Sequence, residues 1–138
     1  MTPECGTTVH PSILKIQSLL RKIDGLRLPA RSRRDVERIR VRHAIKELDH
    51  ALPAHAGHGL RTAKIAASIA HTLALTDEAC HDLVLASYLH DVGLLALPGD
   101  VIQHARLINA EEYRIVQSHT RLGASILEPF TFYERLPS

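Results

Sequence analysis

Ala86-Ser87-Tyr88-Leu89-His90-Asp91-Val92-Gly93 follows the apolar run Leu83-Val84-Leu85 and sets His and Asp side by side at the end of a helical pattern. An imidazole nitrogen and carboxylate oxygens offered at one point suit Zn, Fe or Mn. Gly93 stands where a left-handed residue commonly closes a helix. Two ligands do not hold an ion by themselves, so other parts of the chain must supply the rest.

Working outward, the 138 residues fit one domain of ordinary size. Hydrophobic residues make up 45% and charged residues 23%, a globular balance that excludes a disordered chain. Aromatics are only 4% and Trp is absent, so Leu, Ile, Val and Ala must build the core, which favours closely packed helices. A formal net charge of +2 is too small to imply nucleic acid. Cys5 and Cys80 form no paired motif, and Cys80 reads as a small core residue. No secretory segment and no membrane-length apolar run occurs, so a cytoplasmic location is the default expectation.

The periodicity predicts an all-α fold with about five substantial helices. Ile13, Ile16, Leu20 and Ile23 mark the first, with Ser12 as its cap; Met1 to Pro11 reads as a loose lead-in, and 27–32 as a linker. A second runs from about Arg33 to Leu52, with Val41, Ile45, Leu48 and Leu52 on one stripe. Its Arg31, Arg33, Arg34, Arg38, Arg40 and Arg42 read chiefly as a solvated face, offset by Asp35, Glu37 and Glu47. A phosphate or nucleic-acid surface is the alternative, weakened by the lack of interleaved aromatics. A third spans about Gly57 to Leu75, its inner face drawn from Ala63, Ala66, Ala67, Ala70 and Leu73. Thr76-Asp77-Glu78 opens a fourth that continues to Asp91. Pro98 starts a brief helical turn. Asn109 and Glu112 form a capping box that opens a last helix reaching about Leu127.

Ten histidines are the compositional anomaly. His58, near a helix start, reads alone as a surface or capping residue. His119 shares a face with Ile115, Leu122 and Ile126 and reads alone as a hydrogen-bonded core histidine. His90 and Asp91 read as a dipole-stabilised imidazole and a turn residue, or as ligands. Spacing does not bring His58, His90, Asp91 and His119 together.

A resemblance does. His58-Gly59-Leu60-Arg61-Thr62-Ala63 looks like the "H-S-x-R-V-A" of the HD-GYP branch of the HD-domain phosphohydrolases. Leu89-His90-Asp91-Val92-Gly93 resembles that branch's "L-H-D-I-G-K", and Pro98-Gly99-Asp100-Val101-Ile102 its "I-P-x-x-I-L". Asn109 to Tyr113 is similar to "L-T-P-E-E-W", and His119 with Gly123 to Leu127 is similar to "H-P-x-x-G-A-x-I-L". The pieces occur in the right order from about Ala51 to Phe130.

The resemblance implies an HD-like helical bundle with divalent metal, Fe, Mn or similar and one or two ions, at His58, His90, Asp91 and His119. It implies that Asp91 bridges the ions and that Asp91 and His90 serve catalysis. The implied activity is phosphodiester hydrolysis, with cyclic di-GMP as the branch's substrate and water of lowered pKa as nucleophile. Leu94 stands where the branch has Lys. The branch's later His-His-Glu stretch, Gly-Tyr-Pro loop and final metal-binding Asp have no counterpart. The expectation is therefore an N-terminal segment over 1–30 and a partial domain over 31–138, catalytically incomplete. A non-catalytic binding or dimerisation module is the alternative. Self-association is expected, with the first helix or a second copy covering Leu94, Leu95, Leu97, Ile126, Leu127, Phe130 and Phe132. Nucleic acid and membrane are not expected partners.

Overall fold

A computed structural model describes residues 9–102 and 107–137. The expectations for the first eight residues, Cys5 among them, and for His104 lie outside the described residues. The described fold is all-α: α1 (Pro11–Arg21), α2 (Ala30–Ala51), α3 (His58–Thr72), α4 (Asp77–Leu89), α5 (Gly99–Ile102), α6 (Ala110–Gln117) and α7 (His119–Leu127). Among the described residues, 3-10 turns lie at Pro53–His55, at Val92–Ala96 and, after α7, at Thr131–Arg135. No described helix is long and apolar enough to cross a membrane.

The core forms where the apolar stripes meet. Ile13, Ile16, Leu20 and Ile23 pack with Val41, Ile45, Leu48 and Leu52 of the α2 side, Leu85 and Leu89 of α4, and Ile126, Leu127, Phe130 and Phe132 near the C-terminus. The first helix therefore covers much of the apolar surface for which self-association was expected. Leu95, Leu97, Ile126, Leu127, Phe130 and Phe132 are all buried within one chain, and Leu94 is half-buried. Gln17 Nε2 of α1 also donates to the Ile126 carbonyl at 3.1 Å.

Several local expectations change. The imidazole of His10, not Ser12, caps α1, with Nδ1 accepting from the Ser12 N–H at 3.1 Å. Residues expected in a linker, from Ala30 on, already belong to α2. Leu73 is exposed, and with Ile65 and Ile69 it makes an outward apolar stripe on α3; Ala63 and Ala70 face inward. Cys80 is only half-buried. Helix α4 stops at Leu89, so His90 and Asp91 lie in the turn after it. The expected last helix is two, broken at Ser118. There the backbone tightens, the Ser118 N–H donating to the Ile115 carbonyl at 3.1 Å. The Ser118 hydroxyl donates to that same carbonyl and holds the break. The Asn109–Glu112 capping box is present in full.

Gly93 is not a left-handed terminator, for its φ is not positive. Its hydrogen matters for space instead. A Cβ there would lie 1.8 Å from the His119 carbonyl oxygen and 2.5 Å from the Gly123 nitrogen. The 3-10 turn after Asp91 thus lies directly on the backbone of α7.

Glu37 was expected on a solvated face and is buried instead. It receives Arg135 Nη2 at 2.7 and 2.9 Å, Arg33 Nη1 at 2.6 Å and His81 Nε2 at 3.1 Å. Glu78 joins the same network through Arg33, Arg34 and Arg135. Burial alone would raise the Glu37 pKa, but the hydrogen bonds from His81, Arg135 and Arg33 outweigh it and hold it at about 2.

A carboxylate held below its ordinary 4.5 stabilises the fold above that pH and ceases to as pH falls towards 2. The unfolding midpoint is therefore expected to drop steeply with acid across that window. Glu37→Gln should flatten the slope, leaving the shares of Asp91 and of the more exposed Glu78, and should cost about 1–3 kcal/mol at neutral pH by leaving the part-buried Arg33 and Arg135 without their shared carboxylate. Denaturant titrations at stepped pH measure both. In the same assay, Gly93→Ala should cost roughly 1–3 kcal/mol or more because the facing atoms are backbone and cannot step aside.

Candidate metal centre

Asp91 is the hub. Its residue is 9% exposed, and among the described residues four imidazoles face its carboxylate. Oδ2 lies 2.7 Å from His55 Nε2, 3.3 Å from His58 Nε2 and 3.0 Å from His90 Nε2. Oδ1 lies 3.2 Å from His119 Nε2. The four residues singled out in the sequence are thus brought together, and a fifth, His55, joins them.

Each side chain has a local cause. Gly57 adopts φ +78°, a left-handed conformation that favours glycine, and turns the chain into α3 so that His58 is its first residue. His55 sits on the 3-10 turn that Pro53 begins, one turn ahead of His58. The turn that follows α4 carries His90 and Asp91. The break at Ser118 makes His119 the first residue of α7, and the Gly93 contact fixes how near that residue comes to Asp91.

The hydrogen bonds behind the ring decide what faces Asp91. His90 Nδ1 is 2.6 Å from the Ser87 carbonyl, and His119 Nδ1 is 2.6 Å from the Val116 carbonyl. A carbonyl only accepts, so in both rings Nδ1 must carry the proton. In the neutral ring Nε2 is then a bare lone pair, aimed at a carboxylate that also only accepts. A proton or a cation between them resolves the conflict. Backbone anchoring of one ring nitrogen is the arrangement that prepares the other for a metal.

Electrostatics agree. Burial would raise the Asp91 pKa, but hydrogen bonds from His90 and His55 hold it far below the usual carboxylate range, so the group is an anion. His90 is raised, first by its hydrogen bond to Asp91. His58 is lowered by desolvation and by the neighbouring His55, which keeps its lone pair available.

The donor set fits a divalent ion. His55, His58 and Asp91 offer ligand atoms all within 4.8 Å of one another, and nitrogen with carboxylate oxygen is a mixture that borderline metals accept. The side chains of His58 and His90 are 41% and 37% exposed, so one side of the group is open to a ligand. Beside it lies an open cavity of about 770 Å³, with Asp91, His55 and His119 in its wall.

His55 carried a legible signal that went unread. Its spacing to His58 is one helical turn, but Pro53 marked the segment as a break between helices, not as part of one.

Comparison with known proteins gives the family. A family profile described as "HD domain" matches residues 42–138. The 3'3'-cGAMP-specific phosphodiesterase 2 of Vibrio cholerae is 33% identical over 70 residues, 51% of this chain and 13% of that protein. The cyclic di-GMP phosphodiesterase response regulator RpfG of Xanthomonas campestris is 28% identical over 67 residues, 49% of this chain and 18% of that protein. The aligned part thus spans less than a fifth of either relative. Solved structures offer no significant match. With the profile covering well over half of the sequence and the His-Asp pair at the centre of the imidazole cluster, the chain belongs to the HD-domain family.

Proposed function

We propose that the protein hydrolyses phosphodiesters at a divalent metal centre held by His58, His90, Asp91 and His119, with His55 as a further donor. The observation that carries this reading is the meeting of backbone-anchored imidazoles with an ionised, buried carboxylate. An ion bound there supplies water of lowered pKa and positive charge against the phosphate oxygens. Asp91 would help hold the ion with its carboxylate, one oxygen facing His55, His58 and His90 and the other His119. His90 would hold its nitrogen in line through the Ser87 carbonyl. The open side of the group admits the phosphate, while the cavity wall takes the rest of the substrate. Cyclic dinucleotides, on which both relatives are named as acting, are a natural first substrate class to assay.

The alternative is an HD-type module that binds a ligand or a second copy without turnover. Leu94, in the cavity wall one 3-10 turn from Asp91, favours it, because no hydrogen-bond donor stands there to grip a phosphate.

Elemental analysis after reconstitution with manganese or iron tests the centre. Wild type is expected to retain at least one ion per chain, and Asp91→Ala to retain none. His55→Ala should weaken binding roughly tenfold or more. Equal, low metal content in wild type and Asp91→Ala would refute the centre. Metal retention without hydrolysis of any phosphodiester would favour the non-catalytic module.

A further inference from the structure

We propose that His50 is a specificity-determining residue of the cavity beside Asp91. It receives the second phosphate of a cyclic dinucleotide while the first lies at the metal centre. This rests on the reading of the site as a phosphodiesterase centre and deepens it to one substrate class and one recognition residue.

A single stretch of backbone carries both ends of this arrangement. His55 Nε2 meets Asp91 at 2.7 Å, and His50 lies one short step earlier, in the last turn of α2. Both side chains line the same cavity of about 770 Å³. Pro53 ends the helix between them, and hydrogen bonds hold the bend. The Leu52 N–H donates to the Leu48 carbonyl and the His55 N–H to the Leu52 carbonyl, each at 2.9 Å. At a rise of about 1.5–2 Å per residue in such turns, the two backbones stand roughly 8–10 Å apart. His50 is thus a neighbour of the centre at a distance set by main chain, and it is not one of the four imidazoles that face Asp91.

The chemistry of the ring suits a phosphate. His50 is exposed, in a wall that also includes Leu52, Pro53, Leu94 and Ile102. An imidazole among aliphatic neighbours gives a ligand a point of polar recognition that they do not supply. It donates an N–H to a phosphate oxygen in its neutral form and adds positive charge when protonated. A cyclic dinucleotide carries two phosphodiesters on one ring, so with one held at the ion the other lies a short way off. A simple aryl diester has one phosphate and nothing to offer His50. The residue therefore separates the two classes by what it can pair with.

In the reaction, the oxygen of water bonds to the phosphorus at the centre, and the bond from that phosphorus to a ribose oxygen breaks. The ribose oxygen leaves as a hydroxyl with one proton from water. The ring opens to a linear dinucleotide ending in a phosphomonoester. The diester at His50 is unchanged and serves to orient the one that reacts.

The test measures kcat/KM of the manganese-loaded full chain for cyclic di-GMP and for bis(4-nitrophenyl) phosphate, with metal content alongside. His50→Ala is expected to lower the ratio of the first activity to the second by about tenfold or more at wild-type metal content. His50→Arg, which restores a donor and a charge, should bring the ratio back to within about threefold of wild type. Damage to the fold or to the centre lowers both activities together and leaves the ratio where it was. An unchanged ratio in His50→Ala, or a ratio in His50→Arg as low as in His50→Ala, overturns the role of His50. Wild-type hydrolysis of the aryl diester without cyclic di-GMP also overturns it and leaves the phosphodiesterase reading standing. Hydrolysis of neither substrate by metal-loaded wild type overturns both.

Discussion

Contact of backbone with backbone, between Gly93 and the start of α7, is the constraint on which the rest depends. Side chains normally keep helices about 8–10 Å apart. Here Gly93, which has no Cβ, lets a 3-10 turn lie against the His119 carbonyl and the Gly123 nitrogen. That approach brings an imidazole from one end of the domain to a carboxylate from its middle. Without it, Asp91 would still be buried, but the imidazole on its second oxygen would be missing.

Two polar clusters sit in this small protein, and they solve the same problem in opposite ways. Around Glu37, buried charge is met by permanent counter-charge from Arg33 and Arg135. Around Asp91, the facing groups are imidazoles, whose charge depends on a proton or a bound ion, and the network is open on one side. The first arrangement fixes helices; the second leaves the carboxylate ready to exchange its partner.

Much of this was legible in the residues. The stripes on α1 and α2 and the Asn109 box follow from local periodicity and capping, and each was found where the pattern put it. His58, His90, Asp91 and His119 were named through family likeness, because no local rule links positions so far apart. What escaped were effects that exist only in three dimensions. Glu37 looks like any acid on an arginine-rich helix until Arg135 and His81 arrive from other elements. Gly93 looked like a helix terminator, since a sequence shows the missing side chain but not the backbone that needs the room. The break at Ser118 lies inside an unbroken helical pattern, and only the hydroxyl bond to Ile115 distinguishes it.

The packing of α1 has a kinetic side. Gln17 reaches Ile126 and Asp24 reaches Thr131, sequence separations of 109 and 107 residues, and Arg135 reaches Glu37 across 98. Joining such distant points closes a very long loop, an entropic toll that local helix contacts do not carry. During synthesis α1 can settle on α2 once both have emerged, but the side of it that meets Ile126 and Phe130 stays uncovered until that segment has left the ribosome. The core against α1 should therefore be completed late, when the segment from Ile126 to Thr131 docks onto a helix pair that is already in place.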